Sequence, residues 1–179
     1  MAYMKKPSMI CIHHSAVSND KNRDQFIATD NYHKEKWGIK SSLGYYVGYN
    51  YFISANGRLY KAREEGETTV AVYQNDMNDG RAVHVCVQGN FDTEKPYPEQ
   101  IYALRDLLKD ICKRQGISSD KIVFHRDYAP KTCPGNYLEK AFVRNLVDGN
   151  KPTAVVDSPS VNDKIKVLIT ELYNLTKSL

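Results

Sequence analysis

The sequence predicts an α/β fold: a mixed central β-sheet flanked by helices, then a linker and a short C-terminal helix. Three observations support this. Apolar, β-branched runs at 9–12, 82–87 and 122–124 alternate with stretches whose apolar residues recur at helical spacing. Strands that alternate with helices along a chain place the helices on the faces of a sheet. An Asn56-Gly57 pair before Leu59-Tyr60-Lys61 marks a tight hairpin, because Asn and Gly tolerate positive φ, so one strand pair is antiparallel and the sheet is mixed.

Taken in order, Ser8 to Ser15 is the first strand, apolar until it ends in His13 and His14. Adjacent strand residues face opposite sides, so only one of the two histidines can point at a given site. Arg23 to Trp37 carries Phe26, Ile27, Tyr32, His33 and Trp37 at roughly helical spacing with Gly38 as a stop, and reads as a helix covering the sheet. Gly44 to Ser54 is aromatic and β-branched and leads into the hairpin. Glu64 to Arg81 is rich in Gly, Asp and Asn without a period, as expected of a long surface loop lining a cleft. Ala82 to Val87 is a further strand. Pro98 opens a helix whose Ile101, Leu104, Leu108, Ile111 and Cys112 repeat at i+3/i+4 until Gly116. Lys121 to His125 is the last strand and Asn136 to Val147 the next helix.

The composition changes at Asp148. Residues 1–147 read as one domain, 148–159 as a Pro-marked polar linker, and 160–179 as an amphipathic helix with Val161, Ile165, Leu168, Leu172, Leu175 and Leu179 at alternating spacings of four and three. Such a seam suits helix–helix contact, so a homo-oligomer through this helix is the expectation. Docking on the domain's own surface and wall anchoring are the other ways of covering it.

With 25 Lys+Arg against 21 Asp+Glu the net charge is +4, and no long basic run suggests a nucleic-acid partner. No apolar run approaches the ~18 residues of a membrane span. Met1 to Lys6 leads straight into Pro7 without a signal-peptide core, so synthesis in the cytoplasm is expected. The four cysteines (Cys11, Cys86, Cys112 and Cys133) are widely spaced and read as reduced thiols.

The chemistry concentrates in Phe124-His125-Arg126-Asp127-Tyr128-Ala129-Pro130-Lys131-Thr132-Cys133-Pro134-Gly135. A strand end and a Pro-broken loop bring an imidazole and a thiol to one region, and both suit zinc. A catalytic zinc commonly has three protein ligands and leaves a fourth position to water, so a third ligand is wanted from elsewhere. A copper electron-transfer site would want a weak axial ligand near the cysteine, and Met1, Met4, Met9 and Met77 are all far from Cys133 in sequence. A zinc deaminase needs Cys-x-x-Cys beside His-x-Glu, and the sequence contains no Cys-x-x-Cys.

Several segments fall in one known order: Ile12-His13-His14-Ser15-Ala16; Tyr32-His33-Lys34-Glu35 with Trp37; Gly48-Tyr49-Asn50-Tyr51-Phe52 with Asn56-Gly57; Val85 to Phe91; and His125 through Pro134. In these segments, over about residues 8–147, the chain resembles the zinc-dependent N-acetylmuramoyl-L-alanine amidases of the type-2 amidase and peptidoglycan-recognition fold. Among these it is most similar to the phage lysozymes that are amidases. The resemblance implies zinc on His13, His125 and Cys133, with Tyr49 and Lys131 in catalysis. The implied substrate is bacterial peptidoglycan, cut between N-acetylmuramic acid and L-alanine in phage-driven lysis. A tyrosine hydroxyl can orient or deprotonate an attacking water, and a lysine ammonium can face a developing oxyanion.

A non-catalytic peptidoglycan-binding module is the alternative on the same fold. Such modules typically lack the cysteine ligand, and Cys133 is present. The chain also departs from the family's usual pattern. Val70-Ala71 stands for His-Ala, Cys86 and Gln88 stand near the glutamate some relatives use, and Ala82-Val83-His84 replaces Ser-Ile-Gly. His84 therefore reads as structural.

Overall fold

Strand β1 (Met9–His14) is paired along both edges, parallel to β4 (Ala82–Val87) on one side and to β5 (Ile122–Phe124) on the other. In this computed structural model, which describes residues 4–73 and 75–149, β2 (Tyr51–Ile53) lies parallel to β4 and β3 (Leu59–Lys61) antiparallel to β2. The order is β3-β2-β4-β1-β5, a mixed five-stranded sheet as expected. Every residue of β1 and β4 is buried, the mark of strands covered on both faces.

The alternation of the strands sorts their side chains. Ile10, Ile12, Val83, Val85, Val87, Ile122 and Phe124 meet Ile101, Leu104, Leu108 and Ile111 of α3 (Pro98–Gln115) and Val143 and Leu146 of α4 (Lys140–Asp148) in the larger core. Each such side chain contributes about 1.5–3 kcal/mol when fully buried, and this face supplies most of the apolar stabilisation. On the other face Cys86 and Phe52 pack against Phe26 of α1 (Phe26–Trp37) and Val47, while Cys11 and Ala82 meet Val72 and Met77. All four cysteines are free and buried. Among the described residues, no helix is long and apolar enough to cross a membrane.

The expected periodicity of α3 is reproduced in its buried residues. That of α1 is not. Phe26 and His33 are its buried positions, whereas Ile27, Tyr32 and Trp37 are exposed. The inner face of α1 works by hydrogen bonding. Asp30 Oδ1 accepts from the N–H groups of Tyr46 (2.6 Å) and Val47 (2.9 Å), and His33 Nδ1 accepts from Gly48 N–H (2.9 Å). Three consecutive N–H groups are thus turned towards α1, which is why only residues 51–53 of the aromatic run become strand.

The stretch expected to be surface loop, 64–81, has an interior. Thr69, Ala71, Val72 and Met77 are buried, and Asn75–Asn78 forms a short helix, α2. One amide organises it: Asn78 Oδ1 accepts from Ala71 N–H and Val72 N–H, both at 3.0 Å, and its Nδ2 donates to Val72 C=O. The helix expected from Asn136 begins later, at Lys140, and His125 opens a 3-10 turn, His125–Asp127, instead of ending the strand. From residue 150 onward, the expected linker and the whole of the expected helix at 160–179 lie outside the described residues.

Arg63, 1% exposed, ties these loops together. It donates from Nε to Val47 C=O (2.6 Å), from Nη1 to Thr68 C=O (3.1 Å) and from Nη2 to Ile39 C=O (2.5 Å). Arg63→Met should lower the unfolding free energy by about 3 kcal/mol or more, because each buried carbonyl left without a donor costs about 1–3 kcal/mol. Denaturant titration measures this, and a loss below about 1 kcal/mol would mean the carbonyls find other donors.

Burial, reinforced by the Arg63 guanidinium, pushes His33 down to about 4 from its ordinary 6.5. Below pH 6.5 the unfolded chain takes up a proton that the folded chain refuses, so this contribution is present above that pH and is lost as the pH falls towards 4. The loss amounts to up to about 3 kcal/mol. His33→Gln, whose amide oxygen can still accept from Gly48, should lose stability less steeply across that window. Parallel stability curves for the two proteins would show that His33 titrates normally.

Candidate metal centre

Parallel sheets of this kind bind ligands beyond the carboxyl ends of their strands, and His13 lies at that end of β1. Ile12 is level with Phe124, so His125 follows immediately past the end of β5. His13 Nδ1 lies 3.2 Å from His125 Nδ1 and 4.0 Å from Cys133 Sγ, and the three donor atoms all fall within 4.8 Å of one another. The three residues come from two strand ends and a loop. His14 faces the other way, as strand alternation requires, and its Nδ1 accepts from Phe91 N–H at 3.1 Å.

The loop that carries Cys133 is held by its own charged residues. Arg126 donates from Nη1 to Thr132 C=O (3.2 Å) and Gly135 C=O (3.0 Å), and its N–H donates to Cys133 C=O (2.9 Å). Asp127 accepts from Phe124 N–H (2.8 Å) and pairs with Lys140 at the start of α4 (2.6 Å). Gly135 has φ 97°, and a Cβ there would sit 2.3 Å from the Phe91 carbonyl carbon, so only glycine lets the loop close against the Phe91 backbone. Cys133 Sγ in turn accepts from His14 N–H at 3.3 Å.

Burial governs the electrostatics. It pushes the Cys133 thiol up to about 12, although the His14 N–H favours the thiolate. Burial and the neighbouring His84 and His125 rings hold His13 well below its usual range. His125 is lowered by burial and then by the Lys131 ammonium. The site is therefore two neutral imidazoles and a thiol, and a cation arriving there would displace one proton, from sulfur.

His84 lies beneath this cluster. Cys11 pairs with His84 across β1 and β4, and His84 Nδ1 is 2.9 Å from His13 Nε2. Cys11, His13 and His84 form a second group of donor atoms within 4.8 Å. The outer group is the more accessible of the two. Cys11, His13 and His84 are all fully buried and both His84 nitrogens already have partners, whereas His125 is only half-buried at the outer edge of its group.

Of the sequence-expected catalytic residues, Tyr49 lies beside the cluster, its ring centroid 5.1 Å from that of His13. Burial, then the Cys86 and Cys133 thiols, raises its phenol well above its usual value, so the hydroxyl keeps its proton. Asn50 fixes this segment: its N–H donates to His84 C=O (3.0 Å) and its Oδ1 accepts from His84 N–H (2.8 Å). Lys131 is exposed on the Cys133 loop and acts on His125 through its charge. Gln88 is fully engaged in structure, accepting from Gln25 N–H (3.0 Å) and donating to Arg23 C=O (2.8 Å).

A cleft of about 430 Å³ adjoins Tyr49, with Val17, Gln25, Tyr32, His33 and Trp37 among its walls. Tyr32 and Trp37, expected to cover the sheet, line this cleft instead. His84, the Asp30–His33 clamp and the Met77 carbonyl were not read as parts of the site. No periodicity in the sequence points to them.

Residues 3–136 match the family model Amidase_2, N-acetylmuramoyl-L-alanine amidase. Peptidoglycan-recognition protein SC1a of Drosophila melanogaster is 29% identical over 136 residues, covering 73% of this chain and 69% of that protein. N-acetylmuramoyl-L-alanine amidase CwlL of Bacillus licheniformis is also 29% identical over 136 residues, 72% of this chain but 36% of the relative. Among solved structures, the endolysin N-acetylmuramoyl-L-alanine amidase LysCS from Clostridium intestinale URNW aligns with TM-score 0.65 and 26% identity over 80% of this chain and 84% of that one. With its mixed sheet, its helices on both faces and this match over most of its length, the chain belongs to the type-2 amidase and peptidoglycan-recognition family.

Proposed function

We propose that this chain is a zinc-dependent peptidoglycan hydrolase that cleaves the amide bond between N-acetylmuramic acid and the L-alanine of the stem peptide, in phage-driven lysis of a host cell. In this reading residues 1–147 are the catalytic domain. The observation that carries it is the donor set His13 Nδ1, His125 Nδ1 and Cys133 Sγ, converging within 4.8 Å beside a cleft. Two imidazoles and a thiol are a fitting set for zinc, and three protein donors leave a position for water or substrate. When bound there, zinc supplies Lewis acidity towards water and towards the amide carbonyl.

The chain's own residues supply the rest. Tyr49, protonated and fixed next to His13, orients the attacking water through its hydroxyl and does not take up its proton. Lys131 brings positive charge to the rim by His125, where an oxyanion develops. The exposed rings of Tyr32 and Trp37 offer apolar walls for sugar or stem peptide. The amidase names of LysCS and CwlL support catalysis. The peptidoglycan-recognition relatives support binding of the same polymer.

Purified peptidoglycan should release free amino groups, without new reducing ends, when treated with the full chain. Cys133→Ser should lose zinc and this release together. Full release by a zinc-free Cys133→Ser protein would overturn the metal-hydrolase reading, and wall binding by the wild type without any release would favour the recognition module.

Tyr49→Phe and Lys131→Ala should each keep stoichiometric zinc and lose about 10²-fold or more in kcat, as expected for groups that act on the reacting atoms and not on the metal. Turnover at the wild-type rate in either variant would remove that residue from the chemistry.

A further inference from the structure

Two fully buried histidines meet in a polar contact on the sheet, and one of them has no part in the reading above. His84 is fully buried on β4, with His13 Nε2 at 2.9 Å from its Nδ1 and the Met77 carbonyl oxygen at 2.9 Å from its Nε2. A carbonyl oxygen only accepts, so the hydrogen of His84 is on Nε2 and its Nδ1 carries a lone pair. The contact with His13 then has one donor available, the Nε2–H of His13. That places the free lone pair of His13 on Nδ1, the atom 3.2 Å from His125 Nδ1 and 4.0 Å from Cys133 Sγ.

We propose that His84 is a positioning residue: the chain Met77 C=O, His84, His13 locks His13 in its Nε2–H tautomer and aims Nδ1 at the His125 and Cys133 donors. The proposal rests on the zinc reading and deepens it.

The framework of the relay is held by hydrogen bonds at both ends. Met77 is fully buried on α2, inside the segment that Asn78 organises. The backbone of His84 is held on both sides by Asn50, the neighbour of Tyr49. The β1–β4 register brings the two rings to a centroid distance of 5.2 Å. Metal-ligating histidines commonly donate their second N–H to such a partner, and losing it typically costs 10–100-fold in metal affinity. The usual partner is a carboxylate, a carbonyl or water. Here a second imidazole carries the constraint one residue further, to a backbone carbonyl.

The test uses the full chain in three forms: wild type, His84→Leu and His84→Gln. Glutamine can accept from His13 with its amide oxygen and donate to Met77 with its nitrogen; leucine can do neither. In chelator competition, His84→Leu should bind zinc about 10–100-fold more weakly at unchanged stoichiometry, and His84→Gln should recover much of the loss. Long-range ¹H–¹⁵N spectra of the metal-free proteins should show His13 as the Nε2–H tautomer in the wild type and as a mixture in His84→Leu. Thermal unfolding of the metal-free proteins establishes that each variant is folded. If His84→Leu is unfolded, the tautomer of the wild type and the affinity of His84→Gln decide.

Wild-type affinity in a folded His84→Leu protein, or a wild-type His13 protonated at Nδ1, would overturn the proposal. So would complete loss of zinc stoichiometry in folded His84→Leu, which would make His84 a ligand. Because the tautomer is read without metal, failure of the zinc reading and failure of the relay remain distinguishable.

Discussion

The alternation of side chains at the end of β1 is the constraint on which the rest of the site depends. Consecutive residues of a strand face opposite sides, and His13 and His14 use both. His13 turns to the face where His125, Cys133 and Tyr49 gather. His14 turns to the other, where its ring accepts from Phe91 N–H while its own N–H meets the sulfur of Cys133. One dipeptide thus supplies a candidate ligand and helps to place another. A slip of one residue in the β1 register would exchange the two faces and dismantle both roles at once.

The two faces of the sheet are stabilised differently. Under α3 and α4 the contacts are apolar and the free energy comes from area removed from water. Under α1 and the segment 64–81, side chains of Asp30, His33, Asn50, Arg63 and Asn78 hold irregular backbone by hydrogen bonds. Each bond is worth only about 0.5–1.5 kcal/mol net, but one left unmade costs more. This arrangement fixes the direction of a particular N–H or C=O, which apolar packing does not. Tyr49 and Met77, the one beside the cluster and the other accepting from His84, both lie in backbone held this way.

This difference explains what the sequence made legible. The strands, the hairpin and the inner stripe of α3 follow from periodicity and turn chemistry, and all appear in the structure. Cys133 and His125 could be singled out because a thiol and an imidazole flank a Pro-broken loop. The choice of His13 over His14 came from the resemblance to the amidase family, since alternation alone leaves the pair symmetric. The inner face of α1 was misread because aromatic residues at helical spacing look like a buried stripe, whereas here the polar Asp30 and His33 face inward and Tyr32 and Trp37 line the cleft. The order within 64–81 was illegible, since it depends on one amide, Asn78, and has no period. His84 looked structural because strand pairing is not written in either strand; only the β1–β4 register brings it to His13.

The central claim is that the metal is held by the outer donor group, His13, His125 and Cys133, and not by the inner one that shares His13. X-ray absorption at the zinc edge, on the full chain loaded with one equivalent, tests this most directly. The account requires one sulfur at about 2.3 Å with imidazole nitrogens at about 2.0–2.1 Å. That sulfur should be lost in Cys133→Ser and retained in Cys11→Ser. A sulfur shell that survives Cys133→Ser and disappears in Cys11→Ser would place the metal beneath the site, against Cys11 and His84, and contradict the account.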